Sequence, residues 1–312
     1  MQLAGRLREH PGLLAKLDLS AVAATIGGDG DDAAVVDGEL VMCAEAIEPS
    51  FVEADPRVAG IAAVVTCLND IAACGGRPIA LLDTVVAPNR EIATLALDGI
   101  RIGAERYGVP VVGGHTTIAP GRAQISSFAL GRAKRPLRAA NAKAGDEVVL
   151  VTCLEGELIA SSGGVCFYTH LRGPRGARAG EDITLIAELA EAGEAWACRD
   201  ISMPGLVGSL LQFLESAGNL GATLDLDSVP VPSGIERAKW LEAFSSFGFL
   251  VVGDADAIST RTGAAGLTAA TIATLDPSSR LVISSGRANE LFWNLGHKAL
   301  TGLRPDQRAS RP

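Results

Sequence analysis

The chain has 312 residues, 48% of them hydrophobic and 20% charged, with 27 Lys+Arg against 36 Asp+Glu and a net charge of −9. That length fits one large or two medium domains, and a chain this long buries about three quarters of its unfolded surface without needing a disulfide or zinc staple. The balance excludes an intrinsically disordered chain and argues against a general nucleic-acid binder, whose phosphate backbone an acidic surface repels. No stretch reads as a membrane span, and the charged N-terminus MQLAGRLREHPG lacks the apolar core of a signal peptide, so a cytoplasmic protein with no membrane partner is expected. Six cysteines occur without a CxxC pair, so they read as small core residues rather than a zinc cluster.

Strand-like apolar runs are expected at 33–36, 40–44, 79–86, 109–112, 124–130, 147–151, 248–252 and 281–284. Helical patterns alternate with them. Residues 57–74 carry apolar side chains at helical spacing and stop at Gly75-Gly76 with Pro78 beyond. Asn89 caps a second helix that runs to Tyr107 and stops at Gly108. Further helices are expected near 181–192, 204–216, 235–244 and 289–300. The polar, basic stretch 131–146 is a linker candidate, with Arg132, Lys134, Arg135 and Arg138 as a solvated face or, alternatively, phosphate contacts. The expected organisation is an N-terminal α/β domain over 1–135, a C-terminal α+β domain over 136–305 and a disordered tail at 306–312.

Four segments carry candidate chemistry. In Gly27-Gly28-Asp29-Gly30-Asp31-Asp32 three carboxylates crowd within four positions among glycines. A hard cation such as Mg²⁺ relieves that repulsion, and glycine backbone amides can approach phosphate; an exposed Asx/Gly turn is the plain alternative. In the 57–74 helix, Thr66, Asn69 and Asp70 form one polar stripe on an otherwise apolar element. Asp70 there opposes the helix dipole, which a metal or cationic partner would offset; a solvent-facing stripe is the alternative. Val111-Val112-Gly113-Gly114-His115-Thr116-Thr117 reads as a buried strand running into a Gly-Gly turn, with His115 as metal ligand, phosphate contact or base, or merely hydrogen-bonded. Arg199-Asp200-Ile201-Ser202-Met203-Pro204-Gly205 reads as a polar loop into a helix N-terminus, suited to an anion or to simple capping. The loop at 155–180 holds Arg172, Arg175 and Arg178, as a mobile basic loop or as contacts to an anionic substrate. No GxxxxGK[ST], GxSxG or HExxH motif is present, and four histidines make a multi-histidine metal site improbable.

Together these segments resemble the PurM-like superfamily of aminoimidazole ribonucleotide (AIR) synthase, thiamine-monophosphate kinase, selenophosphate synthetase and the hydrogenase-maturation carbamoyl dehydratase. Gly30-Asp31-Asp32-Ala33-Ala34-Val35 is similar to the kinase's GDDAAV, and Asn69-Asp70-Ile71-Ala72-Ala73 with Gly75, Gly76, Arg77 and Pro78 to a shared NDIAA block. Gly113-Gly114-His115-Thr116 is similar to GGDT or GGHT forms, and Asp200-Ile201-Ser202 falls where the kinase has DISDG. The resemblance implies a two-domain homodimer whose N-terminal domains close an intersubunit β-barrel, with ATP in a cleft and Mg²⁺ bridging its phosphates to acidic residues. It implies Asp31, Asp32, Glu45 and Asp70 as metal ligands, and Gly30, Asn69, Gly113, Gly114, Thr116 and Asp200 as nucleotide contacts. His115 and Asp70 would be the catalytic pair. The implied activity is AIR synthase-like activation of a substrate oxygen by phosphoryl transfer on an unidentified small molecule. A small-molecule kinase and a non-catalytic nucleotide-binding homologue are the alternatives. The chain departs from the kinase pattern at Met203-Pro204, where DISDG has Asp-Gly, and at His115. It has no cysteine before Cys43 and none in its last residues, which argues against the selenophosphate and carbamoyl activities.

Overall fold

The computed structural model describes residues 2–23, 31–160 and 165–303. Gly30, the glycines before it and the tail at 306–312 lie outside the described residues.

Three short helices open the chain, Gln2–Arg8 (α1), Pro11–Leu14 (α2) and Ser20–Ala23 (α3). Strands Ala34–Val36 (β1) and Leu40–Ile47 (β2) lead to helices Pro49–Ala54 (α4) and Pro56–Ala73 (α5). Strand Arg77–Ala87 (β3), helix Arg90–Tyr107 (α6) and strands Val111–Ile118 (β4) and Gln124–Arg132 (β5) follow. The five strands make one sheet in the order β1-β2-β5-β3-β4, with β3 and β4 parallel and the other pairs antiparallel.

Side chains alternate across this sheet, so each strand shows one face to the helices and one outward. Val41, Leu81, Val85, Ile125 and Ala129 face α5 and are buried. Met42, Leu82, Val112 and Phe128 point the other way and stay exposed. Helix α5 is apolar enough over 18 residues to match a membrane span, yet 89% of that window is buried inside the protein. Its apolarity is that of a core helix, wrapped by the sheet on one side and α6 on the other. Gly60 and Gly99 let α5 and α6 touch backbone to backbone: a Cβ on Gly99 would lie 2.0 Å from the Arg57 carbonyl oxygen. Asn89 and Gly108 cap α6 as expected, through an Asn89 side chain that accepts from the Ile92 N–H and a left-handed Gly108.

The second half begins with Glu147–Thr152 (β6), Glu157–Ala160 (β7) and Cys166–Thr169 (β8), then helices Ala179–Asp182 (α7) and Leu185–Ala192 (α8). Ala195–Asp200 (β9), Gly205–Ser216 (α9), Gly221–Asp225 (β10), Arg237–Glu242 (α10) and Phe244–Ser245 (β11) come next. Gly248–Gly253 (β12), Ala255–Ala264 (α11), Thr268–Asp276 (β13), Arg280–Ser285 (β14) and Ala288–Asn294 (β15) complete it. Seven strands form a sheet in the order β15-β14-β10-β13-β6-β12-β9, and β11-β8-β7 form a small one. The large sheet feeds two cores. Val149, Val151, Phe249 and Val251 join the core of α5 and α8, while Val148, Leu150, Leu250 and Val252 pack with α9. Ala4, Leu7 and Leu13, which the sequence grouped with the first half, are buried in this second core.

Four expectations are corrected. The segment Val111–Ile118 is one continuous edge strand, because β4 pairs with β3 straight through Gly113 and Gly114 and makes no turn there. Residues 288–294 form a strand rather than a helix, held antiparallel to β14. The helix expected at 181–192 is two pieces, α7 and α8, broken at 183–184. Arg175 belongs to no mobile loop: it is 8% exposed and its guanidinium clasps both oxygens of Asp182 at 2.7 and 2.8 Å.

Candidate active site

The polar stripe of α5 does not face solvent. Thr66, Asn69 and Asp70 are 7%, 1% and 5% exposed, and Asp70 points from the last turn of α5 into a cavity between the two halves. That cavity, about 170 Å³, is lined by Asp31 and Asp32 from the segment before β1, Glu45 from β2, Asp70 from α5, and Arg199 and Asp200 from the end of β9. Ser202, Met203 and Gln212 line it from the α9 side, and Lys16 and Thr301 from the two ends of the chain. Five carboxylates from four elements, more than 150 residues apart in sequence, therefore meet in one place.

Asp32, Asp70 and Asp200 form its centre, each offering an oxygen within 4.8 Å of the others. Asp32 is held by the Arg199 guanidinium at 2.9 Å and by the Asp200 N–H at 3.0 Å. Asp70 Oδ2 and Asp200 Oδ1 are buried without a hydrogen-bond partner. Asp31 is turned to a different duty, since its carboxylate accepts the N–H groups of Ala139 at 3.1 Å and Asp32 at 3.3 Å.

Burial pushes every one of these acids up. Asp31 is pushed up to about 6, first by burial and then by the Asp32 charge, against the pull of Arg199. Asp70 is held well above the ordinary carboxylate range by burial and then by Glu45, Asp200 and Asp32. Asp200 is raised well above that range by burial and by Asp32. Burial also raises Asp32 and Glu45, against Arg199 for the first and Lys16 for the second. Buried like charges with orphaned oxygens are costly alone and are relieved by a bound cation. Three carboxylates around one point suit a hard divalent cation such as Mg²⁺, so Asp32, Asp70 and Asp200 fit the implied metal.

The remaining expected residues lie elsewhere. Asn69 does not line the cavity; its Nδ2 donates to the Ser245 carbonyl at 2.9 Å and ties α5 to β11. Gly113, Gly114, His115 and Thr116 sit in the exposed edge strand β4, outside the cavity lining. The register runs Glu45–Ser127–Asp83–Gly114, so β4 lies three strands from Glu45, about 14 Å at the usual strand spacing. Gly114 has its own local reason: a Cβ there would lie 2.5 Å from Asp83 Oδ2. Arg199 lay in the polar segment 199–205 read as an anion or capping loop, whereas Lys16, Gln212 and Glu215 carried no expectation. For Glu215 a signal existed, a lone acid in the apolar helix GLVGSLLQFLES.

Residues 30–133 match a family described as AIR synthase related protein, N-terminal domain, and residues 176–285 match AIR synthase related protein, C-terminal domain. The uncharacterized protein sll0787 of Synechocystis sp. (strain ATCC 27184 / PCC 6803 / Kazusa) is 34% identical over 283 residues, 89% of this chain and 87% of its own length. The thiamine-monophosphate kinase of Rhodopirellula baltica is 30% identical over 223 residues, covering 65% of each chain. Among solved structures, T. maritima PurL complexed with ATP superposes with a TM-score of 0.70 at 18% identity, over 97% of this chain and 52% of that one, a likeness of fold. The mixed α/β architecture, the two matched blocks and the near full-length relative agree: the chain belongs to the AIR synthase related family.

Proposed function

We propose that this chain is a Mg²⁺-dependent, ATP-using enzyme of cytoplasmic small-molecule metabolism that activates a substrate oxygen by phosphoryl transfer. The observation that carries the reading is the meeting of Asp32, Asp70 and Asp200 with two orphaned buried oxygens. Phosphoryl transfer asks a protein chiefly for positioning and charge neutralisation, and needs no nucleophile on the chain itself. Bound Mg²⁺ supplies the charge that phosphate oxygens need. Asp32, Asp70 and Asp200 would hold it, Arg199 fixes the Asp32 carboxylate, and Asp31 pins the approach of the 31–32 segment by holding the Ala139 N–H. ATP is named because T. maritima PurL, of the same fold, is known in complex with it.

The proposed working unit is a homodimer. Met42, Leu82, Val112 and Phe128 are 51%, 45%, 63% and 38% exposed on one face of the five-stranded sheet. An apolar sheet face of this kind marks a contact surface. A second copy laid against it closes the two sheets into the barrel that the family resemblance implies.

Calorimetric titration of ATP with and without Mg²⁺ tests the proposal. Binding at about one site per chain that requires the metal supports it, and equal binding with EDTA overturns it. A kinase is the second reading, favoured by the 30% identity to a thiamine-monophosphate kinase. A stable phosphorylated product supports the kinase, whereas ADP and free phosphate with a cyclised or amidated product support the synthase-like route.

A further inference from the structure

Among the described residues that line the acidic cavity, two side chains are basic, Lys16 and Arg199, and they are held in contrasting ways. Arg199 is 5% exposed and committed to Asp32 at 2.9 Å. Lys16 is half-buried and reaches the cavity from the connection between α2 and α3.

That connection is anchored at several points. Leu13, 1% exposed, seats α2 in the second core. Gly12 lets α2 press on the loop before α9, since a Cβ there would lie 2.3 Å from the Met203 carbonyl oxygen. After Lys16, the Asp18 N–H donates to the Leu300 carbonyl at 2.9 Å and the Ser20 N–H to the Thr301 carbonyl at 2.8 Å. The turn at 300–302 is itself clamped by Glu215, which is 1% exposed. Its carboxylate accepts from Leu300 N and Thr301 N, both at 2.8 Å, from Thr301 Oγ1 at 2.6 Å and from Gly302 N at 3.2 Å. Burying a carboxylate is costly unless it is fully bonded, so this clamp fixes the place of the 300–302 turn and of the segment tied to it. The Lys16 charge reaches Asp32, Glu45 and Asp200, each of which it pulls downward.

We propose that Lys16 is the phosphate-contacting cation of the site, its ammonium meeting the terminal phosphates of a nucleotide bound in the cavity it lines with Asp32, Asp70 and Asp200. The inference rests on the ATP-using reading above. A cavity lined by carboxylates repels a triphosphate, and the metal offsets that repulsion on one side only. Lysine is a point charge on a flexible stem with three donors, suited to a phosphate group that changes position. Arg199, locked to Asp32, serves the carboxylates instead. The Glu215 clamp makes the two ends of the chain part of the site.

The test uses the full chain, with Mg-ATP binding by calorimetry and Mn²⁺ binding, without nucleotide, by electron paramagnetic resonance. Lys16→Met is expected to weaken Mg-ATP about 10- to 100-fold, as loss of a charge-assisted contact does. The same change should leave Mn²⁺ binding equal or tighter, because a cation beside the carboxylates has gone. Lys16→Arg should recover most of the Mg-ATP affinity. These opposite signs separate phosphate contact from a structural role. Unchanged Mg-ATP affinity in Lys16→Met overturns the inference, as does joint loss of Mn²⁺ and Mg-ATP. If the wild-type chain binds Mn²⁺ but no Mg-ATP, the ATP-using reading falls and this inference with it. Wild-type binding with an unaffected Lys16→Met overturns the inference alone.

Discussion

Asp70 shows what a buried, unpartnered carboxylate costs the fold. It lies 5% exposed at the end of an apolar helix, beside Glu45, Asp200 and Asp32, with Oδ2 unpartnered. Asp70→Asn removes that charge and keeps the shape. The metal-free variant should melt about 2–4 °C above wild type, the shift that about 1 kcal/mol produces in a domain near this size. It should also lose Mg²⁺-dependent ATP binding. A variant that melts lower and still binds Mg-ATP contradicts the assignment. The titration of the cluster makes a second prediction. Carboxylates raised in the folded state stabilise it below their unfolded values and lose that contribution as pH rises through the folded ones. His170, pushed down to about 4 by burial, and His10, also lowered by burial, act the opposite way below about pH 6.5. Above about pH 7 the histidines are largely neutral in both states and their contributions nearly constant, while Asp70 and Asp200 are raised well above the ordinary carboxylate range. The urea midpoint in EDTA should therefore fall as pH rises from about 7 to 8, and Mg²⁺ should restore it at about pH 8. A midpoint that rises over this window without metal rules the cluster out as the dominant strain. The acids were legible in sequence because Asp31-Asp32 and Asp70 break strong local patterns. Lys16 was not, since a lone base carries no pattern until the fold sets it beside an acid, and Arg199 was visible only as part of a polar segment, not as the partner of Asp32.

At the scale of elements, α5 and α6 were legible because capping and apolar spacing agree, and the structure returns Arg90–Tyr107 with its caps. Strand β4 was misjudged at Gly113-Gly114, where two glycines ordinarily signal a turn. Here Gly114 is demanded by the carboxylate of Asp83 on the neighbouring strand, a long-range cause. Residues 288–294 likewise become a strand because β14 offers an edge to pair with. The α5–α6 crossing depends on Gly60 and Gly99, whose hydrogens meet carbonyl oxygens of the facing helix. Gly99→Ala places a methyl against the Arg57 carbonyl and should cost about 1–3 kcal/mol, read as a lower urea midpoint. A neutral Gly99→Ala would mean that the two helices can part without penalty.

At the scale of the molecule, the cavity belongs to neither half alone. Asp70 and Glu45 come from the first sheet and its helix, Asp200 and Arg199 from the second sheet, and Lys16 and Thr301 from the chain ends. Charges on separate elements become a site only through that packing, which is why spacing within any one segment could not reveal it. The exposed sheet face makes the same point about assembly, because Met42, Leu82, Val112 and Phe128 stay exposed among the described residues. Val112→Glu should convert a dimer to a monomer in sedimentation experiments, and a wild-type chain that sediments as a monomer contradicts the shared barrel. An anomalous difference map from crystals grown with Mn²⁺ and ATP would locate the metal directly. A peak is expected among the carboxylates of Asp32, Asp70 and Asp200, with the triphosphate beside it. Ordered ATP with no anomalous peak at those three residues, or a peak elsewhere in the molecule, would contradict that expectation.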